Sequence, residues 1–206
     1  MTGSDADALD AVIDGLGDAE RLRRKYGDAA PAIFAMGDGN HLLATAKKCW
    51  EALKPTLSDA ERETHPARFS LVELVNIHDA GVTFEPIHKV VFETDPSEFL
   101  AAAEQWFEPH IAAENATHTI RLITAAGEKS LALRGLTLGQ LIGTAEDFCQ
   151  SYMTLRGGHI DYIHNDDTAI GMGRQRGCAA ILLPKMEKSE LFTSIITSGI
   201  FPRKSF

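Results

Sequence analysis

The sequence predicts an α/β (α+β) fold: a mixed β-sheet with helices packed on it. Three observations carry this. Segments of helical period alternate with strand-like runs, with turn residues between most of them. The stretch THTIRLITAAGEKSLALRG holds two alternating runs around a glycine-containing turn, the pattern of an antiparallel hairpin. Apolar runs such as CAAILLP have the composition of interior strands reached by crossover connections. Hairpins and crossovers together imply a mixed sheet. No repeat, low-complexity linker or coiled coil interrupts the pattern, and residues 1–206 are taken as one domain, with enough chain to bury a substantial core.

Element by element, Leu9, Val12, Ile13 and Leu16 stand at helical spacing, and a second short helix ends at Gly27. Residues 32–36 have the apolar character of a buried strand. After a polar turn comes a helix with Leu42, Ala46, Cys49, Trp50 and Leu53 on one stripe, expected to lie on the sheet and closed by Pro55. RFSLVELVNIH is apolar on both faces, as an interior strand would be, and HKVVFET is a further strand. PSEFLAAAEQWF is a helix with proline in its first turn. Beyond the hairpin, Leu138, Leu141, Ile142, Ala145, Phe148, Cys149 and Tyr152 mark a long helix. HIDYIHN is a short strand, DDTAIGMGRQRG a helix ended by Gly177, CAAILLP a buried strand and KSELFTSIITSG a last helix.

A formal net charge of −9 weighs against a nucleic-acid partner, since counterion release needs a concentrated cationic face and the one basic block, RLRRK, also suits a helix surface. Cys49, Cys149 and Cys178 are far apart and fit neither a disulfide framework nor a zinc motif, so core thiols are expected. No apolar run is long enough to span a bilayer and the acidic N-terminus is unlike a secretory signal, so a cytoplasmic setting without membrane is expected.

The chemistry-bearing turn is MGDGNH. Gly37 and Gly39 would let a ligand approach the backbone at a helix start, where unpaired N–H groups and the helix dipole favour an anion. Asn40 is expected as the N-cap and His41 as the first helical residue, its imidazole beside any bound phosphate. Asp38 repels an anion unless it holds a metal or accepts a proton. A phosphate cradle and a plain glycine corner both satisfy this spacing. Neither a dinucleotide fingerprint nor a phosphate-loop lysine signature is present.

MGDGNHLLATAKKCWEALK, ARFSLVELVNIHDAGVTFEPIHKVVF, HIDYIHNDD, ILLPKMEKSELF and FPRKSF, in that order, resemble bacterial domain-of-unknown-function family 1015 over most of the chain. Related members carry Asp-Gly-His-His-Arg where this chain has Asp38 to Leu42, and Pro-Thr-His-Arg where it has Pro86 to Lys89. That family resembles, distantly, the ParB/sulfiredoxin-like superfamily, which includes a free-serine kinase and holds nucleotide phosphates at a polar turn opening a helix. The resemblance implies that Asp38, Gly39, Asn40 and His41 occupy that turn, that ADP or ATP with Mg²⁺ is the cofactor, and that Lys89 stands in for the arginine replaced by Leu42. Arg203 and Lys204 would then contact phosphate; otherwise they form a basic tail. Relatives are about twice as long, so this chain is expected to be the C-terminal part of a longer protein whose N-terminal half is its partner.

Three further groups are candidates. Glu85, His88 and Lys89 form a compact polar group suited to a base, a proton shuttle and a phosphate partner, or else an edge strand with solvated charges. Glu73 shares a strand face with Leu71, Val75 and Ile77, as a general base or as half of a buried ion pair. Asp161 and His164 flank the end of a strand, where capping competes with metal binding. The expected function is a nucleotide- or phosphate-binding domain of a phosphotransferase acting on a small, serine-like hydroxyl metabolite. The alternative is a nonenzymatic nucleotide-responsive regulatory module.

Overall fold

The computed structural model describes residues 3–27, 33–37 and 39–198. In chain order the elements are α1 (Gly3–Leu16), α2 (Ala19–Tyr26), α3 (Asn40–Leu53), α4 (Asp59–Thr64), β1 (His88–Phe92), α5 (Pro96–Phe107), β2 (His118–Thr124), β3 (Gly127–Leu133), α6 (Leu138–Arg156), β4 (His159–Ile163), α7 (Asp166–Gly173), β5 (Cys178–Leu182) and α8 (Lys188–Ser198). The chain, read from its sequence as a single domain, divides by its contacts into two compact units: residues 1–17 with 32–79, and residues 18–31 with 80–206.

The first unit holds α1, α3 and α4. Two of its expected strands are not strands. Among the described residues, 33–36 and 69–77 pair with no neighbour, so their N–H and C=O groups form no ladder there, and Phe34, Phe69, Leu71, Val72, Leu74 and Val75 are exposed. Glu73 is correspondingly exposed, not aimed into an apolar layer. Of the α3 stripe, Leu42 is exposed while Ala46, Trp50 and Leu53 are partly buried, and Trp50 lies 6.1 Å from the His65 ring. Cys49 is likewise exposed, whereas Cys149 and Cys178 are the buried thiols. Sequence reading missed α4, whose signal is Ser58-Asp-Ala-Glu61. The Ser58 backbone N–H donates to Glu61 Oε2 at 2.9 Å in a capping box.

The second unit is built on a five-stranded sheet of order β3-β2-β5-β1-β4. Every pairing is antiparallel, which corrects the expected mixed sheet. Crossovers do occur, and they are split. The β1–α5–β2 connection returns two positions away with β5 between, and β4–α7–β5 returns with β1 between. Each pair of parallel strands is thus separated by an antiparallel one. The period-2 alternation of the strands then sorts two layers. On one face Val90, Ile123, Ala180 and Leu182 pack with Ala169 of α7 and the partly buried Phe92, Ile163, Ile170 and Met172. On the other, Phe99 of α5 meets Phe148 and Tyr152 of α6 edge-on at 5.3 and 5.2 Å.

Local signals place these helices as expected. Asp95 caps α5 by accepting the Ser97 and Glu98 N–H groups. Thr137 and Gln140 form a capping box on α6, which buries every residue of its anticipated stripe. Helix α7 stops at Gly173, short of Gly177, against the sheet. A Cβ there would stand 2.8 Å from Ala180 Cβ and 2.8 Å from Ile123 O.

Candidate functional site

In the first unit, the helix start is built by Gly39. It adopts a left-handed conformation, φ 73°, that favours glycine, and it is itself the cap residue of α3, with no side-chain cap hydrogen bond. Asn40 is therefore the first helical residue and not the N-cap, a shift of one from expectation. The intrahelical ladder begins with Leu43 N–H donating to Gly39 O at 2.9 Å. His41 is exposed, and its carbonyl accepts the Thr45 hydroxyl at 2.8 Å. Gly37 is exposed and a Cβ there would meet nothing within 4 Å. Asp38 lies outside the described residues, as do Arg203 and Lys204.

In the second unit, strand alternation separates the group expected at 85–89. Glu85 is exposed, ahead of β1. His88 and Lys89 are consecutive strand residues, so they point to opposite faces, and both are buried. This corrects the picture of one compact polar group: β1 carries two separate pairs, each with its β1 member buried.

On the α7 face, His88 Nδ1 accepts the Leu183 backbone N–H at 3.1 Å, and Nε2 lies 2.8 Å from Asp166 Oδ1. An acceptor at Nδ1 fixes the neutral tautomer, so Nε2–H donates to the carboxylate. Asp166 is the first residue of α7, behind its Asn165 cap, and is 65% exposed.

On the α6 face, Lys89 is wholly buried and its ammonium donates to Glu146 Oε2 at 2.6 Å. Glu146 Oε1 accepts Tyr162 OH at 2.8 Å and Gln150 Nε2 at 3.0 Å. The ammonium also sits 5.0 Å from the Tyr162 ring centroid, a cation–π contact. Burial pushes the Glu146 carboxyl up, but donation from Lys89, Gln150 and Tyr162 outweighs it and holds the group below the usual carboxylate range. Burial and the Glu146 carboxylate push the Tyr162 phenol up. Burial pushes the nearby Cys149 thiol up to about 12, Lys89 opposing and Glu146 reinforcing. As built, this network clamps β1, β4 and α6 together and keeps the Lys89 charge away from solvent.

The remaining candidates do not join it. Asp161 is exposed, with Oδ1 accepting the Tyr162 N–H at 2.8 Å, and His164 is exposed. Among the described residues no group of three histidine, cysteine or acidic side chains is arranged to hold a metal ion. Nor is any helix among them long and apolar enough to cross a membrane. Sequence reading missed Glu146, Tyr162 and Asp166. Of these only Glu146 left a local trace, an acid between Ala145 and Asp147 on the margin of an apolar stripe; its partner 57 residues away did not.

Comparison with known proteins leaves activity open. No curated protein and no solved structure matches the chain. The family model described as protein of unknown function (DUF1015) matches residues 4–151, which include the Gly37–His41 turn, β1 and Glu146. The chain belongs to the DUF1015 family.

Proposed function

We propose that this chain binds the phosphates of a nucleotide at the start of α3, as part of a phosphotransferase acting on a small, serine-like hydroxyl metabolite. The observation that carries the reading is the α3 start itself. A left-handed Gly39, which has no side chain of its own to cap the helix, turns the backbone into α3, and a Cβ at Gly37 would meet nothing within 4 Å. First-turn N–H groups and the helix dipole then favour an anion. The distant resemblance to ParB/sulfiredoxin-like proteins, ADP or ATP as ligand, and His41 beside the phosphates all belong to this proposal. Mg²⁺ would arrive with the nucleotide, because it needs only one or two protein carboxylates in addition to phosphate oxygens. Bound there, it would neutralise phosphate charge.

One observation favours the second reading, a nonenzymatic nucleotide-responsive module. His88 and Lys89, the expected proton shuttle and phosphate partner, are both buried and each already engaged by a carboxylate. Calorimetry with ADP and ATP at millimolar concentration and Mg²⁺ tests binding, with Gly39→Ala as the variant that strains the turn. No heat of binding from the wild type overturns both readings. Binding without transfer to serine or related hydroxyl compounds leaves the module.

A further inference from the structure

β1 and β5 are antiparallel neighbours, so the chain approaching β1 and the chain leaving β5 meet at one end of the sheet. A cleft of about 230 Å³ opens there. Val82, Thr83 and Phe84 line it from before β1, and Lys185, Met186 and Glu187 from after β5. His88, the first residue of β1, follows the first wall in sequence, and its ring bonds Leu183, from which the second wall leaves. Its ring is 1% exposed and joins Leu183, the first residue beyond β5, to Asp166. Pro184 follows and has no N–H, so Leu183 supplies the last backbone donor before Lys185.

We propose that His88 is a proton-operated latch on this cleft: the neutral ring holds Leu183 in place, and protonation at Nδ1 releases the wall that follows it. The reason is a conflict of donors. A protonated ring carries N–H at both nitrogens and so places a donor against the Leu183 N–H, 3.1 Å away, where an acceptor had been. The ring must then turn or the 183–187 segment must shift.

Charged and titratable groups approach the ring from several elements. From α7, Asp166 faces Nε2 directly and is 65% exposed. From β4, Asp161 lies on the same sheet face, two residues along from Ile163, the residue opposite His88. From β5, Leu182 and Ala180 face this side and neither titrates. The released segment carries Lys185 and Glu187. Lys89 lies on the other face of the sheet, paired with Glu146.

Nitrogen NMR of the full chain tests the latch. At pH 8 the His88 ring should show Nε2 protonated and Nδ1 bare. On lowering the pH to 5, amide exchange at Leu183, corrected for its intrinsic pH dependence, should lose about tenfold or more of its protection as the ring titrates. Ala180, in the middle of β5, should keep its protection. His88→Gln, which cannot titrate, should abolish the Leu183 transition. Four results would overturn the proposal: a proton on Nδ1 at pH 8, a ring that stays neutral down to pH 5, Leu183 protection that does not change through the ring's titration, or loss at Ala180 in step with Leu183. The wild-type measurements decide the matter even if His88→Gln does not fold.

Discussion

Replacing Glu146 with leucine should destabilise the unit spanning 80–206 by about 3–5 kcal/mol, whereas replacing its partner Lys89 with methionine should cost about 1 kcal/mol. The asymmetry follows from what each change leaves behind. At 2.6 Å the pair is held by an attraction of about 6 kcal/mol at an effective dielectric near 20, most of which is offset by stripping water from both ions. Glu146→Leu strands a completely buried ammonium whose cation–π contact with the Tyr162 ring at 5.0 Å, worth about 2 kcal/mol, does not replace the carboxylate. It also removes the acceptor of Tyr162 and Gln150. Lys89→Met fills the same channel without charge. Glu146 then keeps its two other donors and its partial access to water, its side chain being 23% exposed. The double variant should be less unstable than the sum of the singles by about 2 kcal/mol. Urea unfolding followed through Trp106 in a Trp50→Phe background reports this unit alone. A Glu146→Leu loss below about 1 kcal/mol, or one no larger than that of Lys89→Met, would refute the reasoning.

The same pair sets an acid limit. Glu146 titrates below its ordinary value of 4.5 in the folded chain, so its stabilisation is full above that value and is lost as pH falls through the depressed pKa; Lys89→Met should flatten this acid limb of the stability profile measured by urea unfolding. Gly173→Ala should cost about 1–3 kcal/mol, because the added Cβ meets Ala180 and the Ile123 carbonyl; a neutral result in thermal unfolding would show that α7 can slide away from the sheet. Cys49 is exposed, whereas Cys149 is buried and its thiol is pushed up to about 12, so brief iodoacetamide treatment at pH 8 followed by peptide mass spectrometry should find Cys49 modified and Cys149 intact. Comparable labelling of the two would contradict the burial of Cys149.

The second unit was the more legible in sequence because its elements carry redundant local signals. Helix α6 shows an unbroken apolar stripe, an N-cap threonine with Gln140 three residues on, and Gly157 at its end, each independently marking the same helix. The β2–β3 hairpin is equally local, its register running from His118 opposite Leu133 to Thr124 opposite Gly127. In the first unit the apolar runs at 33–36 and 69–77 have strand composition, yet composition cannot supply a partner strand. Of the candidate site, the helix start with Gly37 and Gly39 was legible, to within one residue of the cap. His88 and Lys89 were recognised as unusual polar residues in an apolar run, but their adjacency in sequence suggested one group where the pleat makes two.

What the amino-acid sequence determined by itself was the placing of helices, turns and the hairpin, because caps, glycines and periodicity act within a few residues of chain. Tertiary structure alone decided which strands are neighbours, and with it the antiparallel sheet and the two pairs made by His88 and Lys89. The donors and acceptors of those pairs lie 57 and 78 residues apart, and no local rule couples groups at that separation. Lys89 meets Glu146, and His88 meets Asp166, because split crossovers bring α6 and α7 to opposite faces of one strand, so that consecutive residues of β1 must find their partners on different sides of the sheet.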